Sequence, residues 1–363
     1  MSAGPFLPFD HGPPGARRRR RRWLAGAALV SCLLLAAAAA ALLVSGSPAR
    51  TGHARAGRVA SGGPARHAAQ ATPPPQPTLS PAGLPLGTAP FTLKGVGGGG
   101  AVELPFHKPP RAGLLFDLDD GRVLWQRNPL ERLRIASLTK MMTALMAVRA
   151  GRPNARVLVT REAIDTDGSK VGVLPLGRHV PFESMLYGLL LPSGNDAAVA
   201  LAQYLAGSVD RFVARMNAEA AKLGLACSRF ASPSGYVDPG NFSCTVDLAV
   251  LAHLDLAQPR IARITRAATA ILPFPIKGGK LYLANNNPML IYGYPGTTGL
   301  KTGYTLASGR CLVATAERRG VHLGVVLLDS PDPATQARRL LDRAFERVYH
   351  QRPVAEPPIP AGA

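Results

Sequence analysis

The sequence predicts a mixed α/β fold of the α+β kind: one antiparallel sheet flanked by helices, with a helical lobe inserted between its strands. Three observations lead there. One hairpin signal lies around Gly121, a second around Gly320, and the residues between them carry mostly helical periodicity. Strands that come first and last must meet across whatever separates them, which leaves one sheet with helices packed against it.

The elements follow in order. Leu114 to Asp117 and Arg122 to Gln126 flank Asp119-Asp120-Gly121, and an Asp-Gly pair suits a tight hairpin turn. Ala136 to Ala150 lacks Pro and Gly and spaces Leu, Met and Ala as a largely buried helix does. Phe182 to Leu191, Asp196 to Leu205 and Ser208 to Leu223 continue the helical pattern, the first two separated by Pro192. Gly299 to Thr305 ends a Gly- and Pro-punctuated loop and reads as a strand. Arg310 to Glu317 and Val321 to Leu328 flank Arg319-Gly320 as the second hairpin. Ala334 to Tyr349 puts Ala337, Leu340, Leu341, Ala344, Phe345 and Val348 on one side, a helix able to close the sheet.

The 363 residues could hold two or three average domains, but the chain uses its length unevenly. Residues 1–22 form a basic tail ending in Arg17 to Arg22. Trp23 to Val44 is an apolar run of 22 residues, enough to cross a hydrocarbon core of roughly 30 Å. Residues 23–44 are therefore expected to be an uncleaved transmembrane anchor. A cleavable signal peptide is the alternative, although its apolar region is usually only about 7 to 15 residues. The arginine cluster orients the tail to the cytoplasm, so a single-pass protein in the cell membrane would carry the rest of the chain outside. Residues 45–108, dominated by Ala, Gly, Pro, Thr and Ser, read as a linker; Gly97 to Gly100 is part of it, because no Gly-Lys-Ser/Thr follows to make a phosphate loop. The folded domain is expected at residues 109–350 and a Pro-rich tail at residues 351–363.

The formal charge of +20 invites a nucleic-acid partner, but its distribution argues against one. Residues 1–108 hold 12 Lys and Arg against 2 Asp and Glu, leaving 30 against 20 for the remainder. The folded part lacks a dense basic stripe with interleaved aromatics. An anionic wall or membrane surface fits that moderate charge better. The four cysteines show no Cys-x-x-Cys pair, so neither a zinc site nor any other metal or cofactor is expected. Cys32 lies in the apolar run, Cys227 and Cys244 are a candidate disulfide across their loop, and Cys311 reads as a core residue.

Three strings carry the chemistry: Ser137-Leu138-Thr139-Lys140, Ser193-Gly194-Asn195 and Lys301-Thr302-Gly303. A serine hydroxyl needs a neighbouring base to become a nucleophile. Residues three apart on a helix are neighbours, so Lys140 faces Ser137, where burial and nearby positive charge would favour a neutral amine. Taken singly, Ser137 and Ser193 read as helix caps and Lys301 as part of an exposed polar strand. Their ordered combination reverses that balance. Ser193 and Asn195 then sit on a turn between two apolar helices, and the strand bearing Lys301 offers an edge to an extended peptide.

The triplet resembles that of the serine D-alanyl-D-alanine carboxypeptidases, the low-molecular-mass penicillin-binding proteins of the β-lactamase-like superfamily. The resemblance extends to Ala112 to Asp117, Asp120 to Leu124, Ala136 to Leu145, Gly188 to Ala198, Gly299 to Thr305 and Ser308 to Ala316, and it covers roughly residues 110–350, about two-thirds of the chain. It implies a penicillin-binding-protein-like fold and a serine peptidase that removes the terminal D-alanine of peptidoglycan stem peptides through an acyl-enzyme. It further implies Ser137 as nucleophile, Lys140 as base, Ser193 and Asn195 for proton relay and substrate amide, and Lys301 and Thr302 for the terminal carboxylate. Gly303 and Tyr304 would complete that wall, with the N–H groups of Ser137 and Tyr304 meeting the oxyanion. β-Lactams would acylate Ser137. Where relatives often carry a His-x-Ser-Thr-like string, this chain reads Ser234 to Cys244 with Asn241 at the histidine position, so no role is carried to it. The short Pro-rich end also predicts no separate C-terminal β domain.

Other readings share some of these residues. A β-lactamase of class A needs a glutamate to position the deacylating water, and the first one after Asn195 is Glu219, inside a helical pattern. A D,D-endopeptidase would use the same residues. A non-catalytic, membrane-tethered wall-binding protein would have no use for Lys140. A Ser-His-Asp hydrolase built on His253 with Asp247 or Asp255 lacks a Gly-x-Ser-x-Gly elbow.

Overall fold

The computed structural model describes residues 91–236 and 239–353. The basic tail, the expected membrane run 23–44 and the first part of the expected linker lie outside the described residues. Among the described residues no helix is long and apolar enough to cross a membrane.

The elements run β1 (Ala112–Asp117), β2 (Val123–Arg127), β3 (Leu133–Arg134), a 3₁₀ turn over Ala136–Thr139, and α1 (Lys140–Ala150). Next come β4 (Arg156–Leu158), α2 (Arg161–Asp165), β5 (His179–Pro181), α3 (Phe182–Leu190), α4 (Asn195–Ala206) and α5 (Val209–Lys222). After β6 (Phe242–Ser243) follow α6 (Thr245–Leu256), α7 (Pro259–Thr265), the hairpin β7 (Thr269–Pro273) and β8 (Lys280–Ala284), and α8 (Pro288–Ile291). The chain then forms β9 (Thr297–Thr305), β10 (Gly309–Arg318), β11 (Val321–Leu328) and α9 (Pro333–Arg347).

The main sheet is antiparallel with order β2-β1-β11-β10-β9, so the first and last strands meet as expected. Alternation along the strands sends side chains to two cores. Leu114, Phe116, Val313, Val326 and Leu328 face the helical lobe, whereas Leu115, Leu312, Ala314, Leu323, Val325 and Leu327 face α9. On that second face α9 brings Ala337, Leu340, Leu341, Ala344 and Phe345, the stripe its sequence predicts. Pro333 starts the helix and Asp332 caps it, accepting from the Thr335 N–H at 3.2 Å. Each buried Leu, Val or Phe contributes about 1.5–3 kcal/mol, so a sheet packed on both faces is a rigid platform for its edge strand β9.

The linker expectation for residues 45–108 is corrected over residues 91–108. Phe91, Leu93, Val96, Val102 and Leu104 are buried, and the segment covers the outer edge of the sheet. Lys94 N–H donates to Gly121 O at 2.8 Å, Val123 N–H to Lys94 O at 2.9 Å, and Val102 N–H to Leu124 O at 2.8 Å. Gly100 belongs to this seam rather than to a loose tether: a Cβ there would stand 2.3 Å from Leu124 O. The composition of the segment hides its few anchors, which are spaced out and diluted by glycine.

Cys227 and Cys244 form a disulfide with a Cα–Cα distance of 5.5 Å, tying the loop after α5 to the start of α6. Cys311 is a free thiol buried in the core, and that burial pushes its pKa up to about 12.

Candidate active site

Ser137 sits in the 3₁₀ turn that runs directly into α1, and Lys140 opens the helix. One continuous expected helix is thus a tight turn plus a helix, and the tighter winding still stacks positions three apart. Lys140 is fully buried, and its Nζ donates to Ser137 Oγ at 2.8 Å, Asn195 Oδ1 at 2.7 Å and Ser234 O at 3.0 Å. The two carbonyl oxygens can only accept, whereas the serine hydroxyl can also give its proton. Asn195 is fixed from its other side, its Nδ2 donating to Asp167 O at 2.6 Å. The amide oxygen therefore points at the lysine.

Backbone strain brackets this cluster. Ala136, immediately before Ser137, has φ 46°, and Ser193 has φ 64°, both in the left-handed region that a side chain disfavours. The Ser193 hydroxyl has no hydrogen-bond partner among the described residues, yet it lines the cleft. That cleft has a volume of about 570 Å³, and Ser137, Ser193, Thr302, Gly303 and Tyr304 border it.

Lys301 lies on β9 and is 1% exposed, its Nζ donating to Thr302 O at 2.9 Å. Burial lowers its pKa to about 7. The next strand residue but one, Gly303, is pressed against the turn: a Cβ there would lie 3.2 Å from the Ser137 nitrogen. Strand β9 thereby sets its backbone alongside the serine, with Tyr304 N–H next in line. Of the predicted residues, Ser137, Ser193, Thr302, Gly303 and Tyr304 open to the cleft, while Lys140, Asn195 and Lys301 are buried behind it.

Sequence reasoning passed over two supporting groups. Asp196 is buried at the N-terminus of α4, where its carboxylate accepts from Val171 N–H at 2.9 Å, Gly172 N–H at 3.1 Å and Ala197 N–H at 2.8 Å. An acid in the first turn of a helix was a legible signal. Ser234 contributes only its carbonyl, which every residue type supplies, so nothing marked it. Asn241, left without a role, donates to Thr139 Oγ1 at 2.5 Å and accepts from Ala231 N–H at 2.8 Å, which braces the turn holding Ser137.

The competing residues are engaged elsewhere. His253 stacks on Phe91 with ring centroids 4.0 Å apart, and its Nδ1 contacts Leu118 O at 3.1 Å. Asp247 accepts from Cys227 N–H and Ser228 Oγ, both at 2.8 Å. Glu219 pairs with Arg149 at 2.9 Å, outside the set of cleft residues. Among the described residues, the one cluster of the kind that could hold a metal is Cys227, Cys244 and Asp247, and both its sulfurs are spent in the disulfide.

The chain resembles known proteins in sequence and in fold. Residues 107–332 match the model of the peptidase S11 family, described as D-alanyl-D-alanine carboxypeptidase. The chain is 36% identical over 254 residues to the D-alanyl-D-alanine carboxypeptidase DacB2 of Mycobacterium tuberculosis, covering 68% of this chain and 85% of that one. It is 32% identical over 252 residues to DacF of Bacillus subtilis, covering 67% of this chain but 64% of the relative, so the match spans just under two-thirds of that protein's length. The Streptomyces K15 DD-transpeptidase superposes with a TM-score of 0.63 at 27% identity, over 67% of this chain and 99% of its own. A fold, a three-string cleft and a family match over most of the described residues lead to one statement: this chain belongs to the D-alanyl-D-alanine carboxypeptidase family.

Proposed function

We propose that this protein is a membrane-anchored serine D,D-carboxypeptidase that removes the terminal D-alanine from peptidoglycan stem peptides and is acylated by β-lactams. The observation that carries the reading is the 2.8 Å contact between Lys140 Nζ and Ser137 Oγ at the floor of a cleft walled by β9. In the acylation step, neutral Lys140 takes the Ser137 proton as the oxygen attacks the penultimate D-Ala carbonyl. The N–H groups of Ser137 and Tyr304 receive the developing oxyanion, a contribution of about 3–4 kcal/mol for each donor. Ser193 passes a proton to the departing amine, and Asn195 holds both the lysine and the substrate amide. Lys301 and Thr302 grip the free carboxylate. Water then attacks the acyl carbonyl, Lys140 removes its proton, and Ser137 is regenerated.

No carboxylate lines the cleft among the described residues, and the family names its relatives carboxypeptidases. Slow clearance of an acyl-penicillin follows, because no acid stands ready to activate water in a cleft blocked by the β-lactam remnant. Residues 23–44 anchor the protein, with the catalytic domain outside the membrane. Support comes from the flanking Arg17 to Arg22 and from the Cys227–Cys244 disulfide, which suits an oxidising compartment.

The test is D-alanine release from a D-Ala-D-Ala pentapeptide, compared with hydrolysis of a penicillin by the same protein. D-Alanine release that vanishes in Ser137→Ala, with stoichiometric penicillin labelling of the unaltered protein, is the expected result. Penicillin turnover outpacing D-alanine release would replace this reading with a β-lactamase.

A further inference from the structure

We infer that Arg310 is a specificity-determining residue of the cleft, binding the carboxylate of the substrate's terminal D-alanine together with Thr302. The inference rests on the carboxypeptidase reading above and adds a residue to it. Three observations carry it.

First, Arg310 is the one charged side chain among the described residues that border the cleft. Lys301 is buried behind Thr302 and spends its contact on the Thr302 carbonyl. The guanidinium is therefore the solvent-facing cation of the cleft and the ammonium the buried one. Second, the register of the sheet sets the two partners side by side. Arg310 pairs with Tyr304, and Leu312 pairs with Thr302, so Arg310 is the diagonal neighbour of Thr302 on the same face. Diagonal neighbours lie roughly 7–8 Å apart at their Cα atoms, a span that a long side chain covers. Third, Arg310 is aimed and has donors in reserve. Its Nη1 donates to Pro331 O at 2.8 Å, which anchors one arm of the fork, and a guanidinium has five N–H groups. The planar fork suits a carboxylate, where it can make two parallel bonds.

Burial lowers the Lys301 pKa to about 7, so its charge varies with pH near neutrality. A guanidinium holds its charge as a fixed complement at the mouth of the site.

The experiment compares a diacyl-Lys-D-Ala-D-Ala peptide with its C-terminal carboxamide, and a penicillin with its methyl ester, in the unaltered protein, Arg310→Ala and Arg310→Lys. The ratio of kcat/KM for carboxylate over carboxamide is expected to fall about 10- to 100-fold in Arg310→Ala, the range for a hydrogen bond to a charged group. The loss should sit in KM, and Arg310→Lys should recover part of it. The penicillin-to-ester ratio of acylation rates should fall in parallel. An unchanged ratio in both arms overturns the inference, as does an equal loss on carboxylate and carboxamide, which would mark a structural role. If the unaltered protein acylates with penicillin but releases no D-alanine, the carboxypeptidase reading fails, and the penicillin pair alone then decides the role of Arg310.

Discussion

Gly303 on β9 touches the turn that carries Ser137: a Cβ on the glycine would stand 2.9 Å from Ile135 O, 3.2 Å from Ala136 Cβ and 3.2 Å from Ser137 N. The strand and the serine turn are thus mated through backbone, with no side chain between them. Gly303→Ala must push β9 away by a few tenths of an ångström or more, and Tyr304 N–H moves with it. Penicillin acylation of Gly303→Ala is expected to be about 10- to 1,000-fold slower, the effect of weakening one oxyanion donor. The melting temperature should change little by comparison, since the sheet's two cores lie on other residues. Stopped-flow acylation beside a thermal melt checks both parts.

Lys301 makes the site sensitive to pH near neutrality. Burial lowers its pKa from 10.5 to about 7, so between those values the unfolded chain holds a proton that the folded one has released. Stability from this group therefore rises with pH across that window and is lowest below pH 7. Substrate binding runs the other way, because a carboxylate favours the ammonium form. KM for a D-Ala-terminated peptide is expected to fall as pH drops through about 7, and Lys301→Met should raise KM and flatten that dependence. A KM profile that stays flat in the unaltered protein would remove Lys301 from carboxylate binding.

Much of this arrangement was legible in the sequence because it is built from local rules. The Asp-Gly and Arg-Gly turns fixed two hairpins, the stripe from Ala337 to Phe345 fixed the closing helix, and the three-residue spacing of Ser137 and Lys140 survives a change from α to 3₁₀ winding. What stayed hidden depends on contacts between distant segments or on backbone groups. Ser234 enters through a carbonyl, and Asn241 braces Thr139 from a loop 102 residues away. The β7–β8 hairpin escaped notice because its outward residues Ile271 and Tyr282 are apolar, 62% and 67% exposed, which blurs the alternation that marks a half-buried strand.

Asp255 offers a second pH signature, far from the cleft chemistry. It is fully buried on α6, and neither carboxylate oxygen has a hydrogen-bond partner among the described residues. Desolvation raises its pKa well above 3.8, with Arg149 opposing the shift. The folded state therefore binds a proton that the unfolded state has lost, and stability falls as pH rises from about 4 through the folded pKa. Asp255→Leu replaces the acid with an apolar group of similar size. Urea denaturation at pH 5 and pH 8 is expected to show a larger stability loss in the unaltered protein than in the variant, which keeps only the loss due to Asp247, raised to about 6 by burial.

The seam formed by residues 91–108 belongs to the folded domain. Five apolar side chains, Phe91, Leu93, Val96, Val102 and Leu104, are buried there, and three backbone hydrogen bonds join the segment to Gly121, Val123 and Leu124. Burying a Leu, Val or Phe side chain is worth about 1.5–3 kcal/mol against leaving it exposed. A chain starting at residue 109 uncovers the surfaces these five side chains shield and is expected to melt several degrees below one starting at residue 91. The shortened chain also bares the edge of β2, which invites pairing with a second molecule. Thermal melts of the two chains, with light scattering to detect association, decide the matter: equal melting temperatures and equal scattering would return residues 91–108 to the linker.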